Sequence, residues 1–146
     1  MIKRRAIFIT NFLEDPTRLE RDITSDSPAA SKKILQMAMA LRAKGEFSII
    51  LSMGRGQAGK GQRYFRSKVL RIDGIPVVYA PFSQRLVLSQ LITFLSLPLL
   101  LYRLGSFEGT TSAIFYNRTS AYISSLFACL FLGYKRFLDL EDGELI

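Results

Sequence analysis

The chain has 146 residues, enough for one domain or for one part of a larger protein. An apolar fraction of 49% supports a sizeable core and excludes a disordered chain. The 20 basic and 12 acidic residues leave a net charge of +8, which favours phosphate-bearing ligands, nucleic acid or an anionic membrane face as partners; there is no histidine, so histidine-based catalysis and histidine metal ligands are excluded within the chain.

In chain order, residues 3–5 read as a solvated lead into a strand at 6–10 (AIFIT). This start imitates a signal peptide, but Asn11, Glu14 and Asp15 interrupt the apolar run and no small-residue cleavage site follows. Residues 11–26 form a long polar connection, in which Asp15-Pro16 offers the cap and first turn of a short helix. The stretch 25–45 is the clearest helix. Ser27 can cap it, Pro28 fits its first position, and Ala30, Ile34, Met37 and Leu41 share one face. Arg42 and Lys44 suit the negative end of the helix dipole, and Gly45 offers a left-handed stop. A second strand follows at 47–52 (FSIILS). Strand, helix and strand with short links predict a βαβ unit with parallel strands. Its helix N-terminus then faces the carboxyl edge of the sheet, where open α/β sheets place ligands.

Residues 53–62 (MGRGQAGKGQ) satisfy two phosphate-loop spacings: Gly54, Gly56 and Gly59 fit G-x-G-x-x-G, and Gly54 through Lys60 spells G-x-x-x-x-G-K. Both need a helix to open here. Residues 63–72 (RYFRSKVLRI) lack a cap and a clean apolar stripe and read as an extended or irregular basic segment, and Gly61 stands where a P-loop needs Ser or Thr. A mobile or ligand-covering basic loop is therefore expected; a nucleotide-binding α/β module using the loop from Gly54 to Gly61 is an alternative reading. A turn at 74–76 and a short buried strand at 77–80 (VVYA) come next. The 17 residues between Arg85 and Arg103 carry no charge, at the lower limit of roughly 17–25 for a membrane span. Residues 119–134 form a second uncharged run, so a small membrane protein with two spans is a further alternative. Strand-like segments at 111–116 (TSAIFY) and 136–140 (RFLDL), a Thr or Ser cap at 119–120 and a stop at Gly133 favour helices alternating with strands. The single Cys129 lies among apolar residues and reads as a buried, inert thiol; with no partner in the chain it suits a reducing compartment. The expected fold is α/β, a Rossmann-like doubly wound, mostly parallel sheet with helices on both faces. Acidic residues directly past the last strand fall at its ligand edge, where they can act as general bases, ligate a cation or hold sugar hydroxyls. No helix follows to cover that strand, which predicts a downstream partner domain.

The segments AIFITNFL, SPAASKKILQMAMALRAKGEFSIILSMG, GIPVVYAPF and AIFYNRTSAYISSLFACLFLGYKRFLDLEDGE, in that order, resemble the N-terminal domain of GT-B fold glycosyltransferases of the family-4 type. The resemblance covers most of the chain and lies in pattern and order. In that family the N-terminal domain holds the acceptor, a C-terminal domain holds most of the nucleotide-sugar donor, and chemistry occurs in the cleft between them. The resemblance implies transfer of a sugar from a nucleotide-sugar donor to a hydroxyl of a sugar or lipid-linked acceptor, usually with retention and without a required metal. No cofactor and no nucleic-acid partner are expected. It places acceptor binding at Ser27 and Ser31, at the helix start bordering the cleft, and at Arg118, after the fourth strand. It places catalytic or sugar-contacting groups at Glu141 and Asp142, where the family often has a histidine. A second departure is the lack of glycine between the first strand and Ser27. The basic run 55–71 and the apolar helix 86–101 would suit a cytoplasmic enzyme docked on an anionic membrane face. Without its donor-binding half the isolated chain is expected to show no transfer.

Overall fold

The computed structural model describes residues 3–58, 61–105, 107–116 and 120–139. The chain opens with β1 (Arg4–Thr10), α1 (Asp15–Glu20), β2 (Ile23–Ser25), α2 (Pro28–Ala43) and β3 (Phe47–Ser52). Short strands β4 (Gln57–Ala58) and β5 (Tyr64–Phe65) lead into β6 (Lys68–Ile72), β7 (Ile75–Tyr79) and β8 (Phe82–Ser83). The remainder is α3 (Leu86–Arg103), β9 (Thr110–Tyr116), a 3₁₀ turn at Ser120–Tyr122, α4 (Ile123–Phe131) and β10 (Lys135–Asp139).

Six strands form one sheet in the order β10-β9-β1-β3-β7-β6. All neighbours pair in parallel except β6, which runs antiparallel to β7. Side chains alternate across a strand, and β1 shows the result. Ala6 and Phe8 join Ile50 and Val77 beneath Ile34 and Ala38 of α2. Ile7 and Ile9 join Leu51, Val78 and Ala113 beneath Leu97 and Leu101 of α3 and Cys129 of α4. Two cores on two faces define a doubly wound, Rossmann-like α/β fold, with α2 on one side and α3 and α4 on the other. Each fully buried Ile or Leu contributes on the order of 2 kcal/mol through the apolar surface it removes from water.

The βαβ unit forms as expected. Strands β1 and β3 pair in parallel from Arg5↔Phe47 to Thr10↔Ser52. Ser27 Oγ accepts from the Ala30 amide at 3.3 Å, Pro28 occupies the first helical position, and Gly45 ends the helix at φ +85°. The buried stripe of α2 is Ser31, Ile34 and Ala38. Ala30, Met37 and Leu41 sit at its margin.

Three features depart from the sequence reading, and a fourth, the extended basic segment, gives it a definite place. Arg5 is buried inside β1, where its guanidinium donates to the Leu104 and Gly105 carbonyls, each at 3.2 Å, and to the Tyr134 hydroxyl at 3.0 Å. The basic segment forms the edge strand β6, joined to β7 by the two-residue turn Asp73-Gly74, both with positive φ. The loop after β3 is anchored: β4 pairs with β2, and β5 pairs with β8. No helix opens between residues 61 and 67, so the described part of the loop lacks the element that both phosphate-loop spacings require. The second uncharged run yields a helix of nine residues, about 14 Å long at 1.5 Å per residue, against about 30 Å for a bilayer core. Among the described residues α3 alone is long and apolar enough to cross a membrane by length and composition.

Candidate functional site

Strand order reverses at β1. The chain steps from β1 to β3 and β7, then returns through α3 to lay β9 and β10 on the other side. The carboxyl ends of β1 and β9 therefore mark the switch point, the place where such sheets bind ligands. A pocket of about 190 Å³ opens there, lined by Thr10, Asn11, Ser27, Ala30, Met53, Tyr116 and Tyr122. A larger hollow of about 670 Å³ lies at the opposite edge, between Tyr102, Phe107, Thr110 and Tyr134. Size does not decide between them. Only the carboxyl-edge pocket lies under a long helix N-terminus, where amides and the dipole attract negative or hydroxyl-rich groups.

The pocket walls are held by polar contacts between loops. The Asn11 side chain donates to the Arg55 carbonyl at 2.6 Å and accepts from the Arg55 amide at 2.9 Å, so the ends of β1 and β3 move as one. Ser52 Oγ donates to the Phe12 carbonyl at 2.5 Å and accepts from the Gly54 amide at 3.0 Å. Arg21, fully buried, reaches beneath this corner. Its Nη1 donates to the carbonyls of Gly54 at 2.8 Å and Ala80 at 3.0 Å, and its guanidinium lies 5.5 Å from the centre of the Tyr79 ring. Burial pushes the Arg21 pKa down, but nearby Glu20, Tyr79 and Glu14 oppose the shift.

Gly54 is explained by this contact. It adopts φ +55°, and a Cβ there would lie 2.5 Å from Arg21 Nη1 and 2.9 Å from Tyr79 Cδ1. The glycine that opens both phosphate-loop spacings thus makes room for a buried arginine.

Ser27, assigned to acceptor binding by the resemblance, is among the residues lining this pocket. Ser31, one turn further, is buried, and its Oγ accepts from the Leu13 amide at 3.0 Å; it secures the loop after β1 and is not among the pocket walls. Arg118, Glu141 and Asp142 lie outside the described residues. Four contributors escaped the sequence reading. Tyr116, the last residue of β9, is buried in the wall, and its hydroxyl has no hydrogen-bond partner among the described residues. Tyr122 donates to the Tyr116 carbonyl at 3.2 Å, and burial raises the pKa of its phenol while Arg55 pulls it the other way. Arg55 is itself half-buried, which lowers its pKa. On the α2 side, Lys33 Nζ lies 5.4 Å from the centre of the Tyr116 ring and 3.7 Å from Asp139 Oδ2. A strand end is the visible signal for Tyr116, since parallel strands deliver their last residues to this edge.

The pocket therefore presents hydroxyl and amide groups on its walls, cations at its sides and a helix N-terminus above. Among the described residues no group of three or more His, Cys, Asp or Glu is placed to hold a metal. At about 190 Å³ it is smaller than the roughly 300 Å³ at the low end of ligand clefts, and matches one ring of a larger substrate. No family model, no curated protein and no solved structure matches this chain.

Proposed function

We propose that the chain is the acceptor-binding half of a GT-B type glycosyltransferase, which moves a sugar from a nucleotide-sugar donor to an acceptor hydroxyl. The observation that supports this reading most is a ring-sized pocket at the carboxyl edge of the sheet, lined by Thr10, Asn11, Ser27 and Tyr122 under the N-terminus of α2. Lys33 and Arg55 flank the pocket and would accept a phosphate, which suits a lipid-linked acceptor whose sugar is carried on a diphosphate. Glu141 and Asp142, just past β10, are the proposed catalytic or sugar-contacting groups, with Arg118 a further acceptor contact. The donor would be held mainly by a further domain, and no resident cofactor takes part.

Saturation-transfer NMR of the chain against free sugars, sugar phosphates and nucleotides tests this. Sugar or sugar-phosphate signals that fall several-fold in Asn11→Ala and Ser27→Ala are expected. Tight binding of ATP or NAD with no sugar signal would favour a nucleotide-binding module. Measurable sugar transfer by the chain alone would overturn the division of labour proposed here.

A further inference from the structure

Helices α3 and α4 are amphipathic in the wrong sense for water. In α3 the residues turned to the sheet are Ser89, Thr93, Leu97 and Leu101, a stripe at four-residue spacing. Half of that inward stripe is hydroxylic, while Leu91, Phe94, Leu95 and Leu99 face outward and are exposed. In α4 the inward residues are Ser125 and Cys129, and Ser125 Oγ has no hydrogen-bond partner among the described residues. Outward stand Phe127 at 66% and Phe131 at 87% exposure. Soluble proteins place the apolar stripe of a surface helix toward the core and polar residues toward solvent. Two adjacent helices break that rule together. They lie side by side on one face of the sheet, with Ser124 Oγ donating to the Phe94 carbonyl at 2.6 Å, so their outward sides form one continuous apolar surface.

We infer that this surface seats the protein on an anionic lipid bilayer, with α3 and α4 lying in the plane of the interface. Charge decides between lipid and other occupants. From Asp73 to Asp139 the only acidic residue in between is Glu108, whereas Arg85 and Arg103 stand at the two ends of α3. A second copy docked about a two-fold axis would bring like charges together at the rim. The cytoplasmic leaflet offers the opposite sign and attracts surface Arg and Lys. Tyr102 is exposed beside Arg103 and has the apolar body and polar tip typical of the headgroup level. One side of α3 is committed to the sheet through Leu97 and Leu101, so the helix lies along the membrane and does not cross it.

Not all of the basic run adjoins this surface. Lys68 is paired with Glu20 at 2.6 Å, and Arg71 borders the hollow between α2 and β6, beyond the sheet from α3. Arg85, whose Nη2 donates to Gln62 Oε1 at 2.7 Å, and neighbouring Arg63 adjoin the start of α3. The apolar surface gains α4, which the sequence read as a possible second span.

This inference rests on the fold and not on sugar transfer; either can fail alone. The chain has no tryptophan, so Phe131→Trp supplies a reporter without background. Purified protein is mixed with phosphatidylcholine vesicles containing about 30% phosphatidylglycerol, or none, at low salt and at roughly 0.5 M salt, where screening is nearly complete within a few ångström. Expected are a blue-shifted emission, quenching by lipids brominated in the acyl chains, and binding at least tenfold weaker on neutral vesicles or at high salt. Phe127→Ser with Phe131→Ser, and separately Arg85→Gln with Arg103→Gln, should each weaken co-sedimentation at least tenfold while leaving the melting temperature in buffer nearly unchanged. No binding to anionic vesicles, binding indifferent to both double variants, or a lipid-independent dimer that the Phe double variant dissociates would overturn the inference.

Discussion

Replacing Gly54 by alanine separates the two explanations of the glycine-rich loop. In a phosphate loop the substitution would weaken nucleotide binding and leave folding nearly intact. In this structure it strikes the fold. A non-glycine residue held at the Gly54 φ of +55° costs about 1 kcal/mol. The new Cβ would also sit 2.5 Å from Arg21 Nη1, so the guanidinium must withdraw from the carbonyls of Gly54 and Ala80, now at 2.8 and 3.0 Å. Charge-assisted hydrogen bonds of this kind contribute about 1.5 kcal/mol or more each. The sum is about 4 kcal/mol, large against the ~5–15 kcal/mol stability of a typical domain. Arg21→Met should cost about 3 kcal/mol alone, because it strands carbonyls that the guanidinium satisfies. With the arginine gone, Gly54→Ala loses most of its clash, leaving Tyr79 Cδ1 at 2.9 Å. The double-mutant cycle, measured by urea denaturation followed by circular dichroism, should give a coupling of about 2 kcal/mol. A Gly54→Ala variant as stable as the parent, or strict additivity with Arg21→Met, would refute the explanation.

Three further outcomes are expected. Leu97→Ala should destabilise by roughly 2–4 kcal/mol because Leu97 is fully buried, whereas Leu95→Ser, two residues away and exposed, should change stability in buffer by under about 1 kcal/mol; calorimetric melting compares them. Asp73→Val should cost about 1–2 kcal/mol in urea midpoint analysis, since a β-branched residue resists a φ of +49°, while Asp73→Asn should be nearly silent. Stability should fall as pH rises from about 9. Burial pushes the Cys129 thiol up to about 11 and the Tyr79 phenol up to about 12. Over that window the unfolded chain has released protons that the folded chain retains, so each group lowers stability by on the order of 1 kcal/mol per pH unit. Cys129→Ala should flatten the lower part of the decline, and a urea midpoint constant from pH 8 to about 10.5 would contradict the assignment.

Elements were legible where their determinants are local. The start and end of α2 depend on Ser27, Pro28 and Gly45, each acting within one turn, and they fold as read. The order of strands and helices followed from alternating patterns along the chain. Determinants supplied from far away were not legible. Arginine is rarely buried, and the carbonyls that receive Arg5 arrive about a hundred residues later. The hairpin had a local sign, the Asp73-Gly74 dipeptide, obscured by the surrounding positive charge. The leucine-rich segments announced helices but not which side faces in. That is set by the sheet beneath, and the Ser89–Thr93 spacing is its only trace in the chain. Within the candidate site Ser27 was readable as a helix cap. Tyr116 and Tyr122 were not, because the wall exists only once β9 lies beside β1.

The two buried arginines also bear on acid tolerance. Arg5 closes one rim of the sheet and Arg21 the other, and both grip backbone oxygens. A peptide carbonyl takes up no proton in mild acid, and a guanidinium gives none away. These clasps therefore do not depend on the ionisation of any carboxylate. As pH drops, both rims should therefore stay closed.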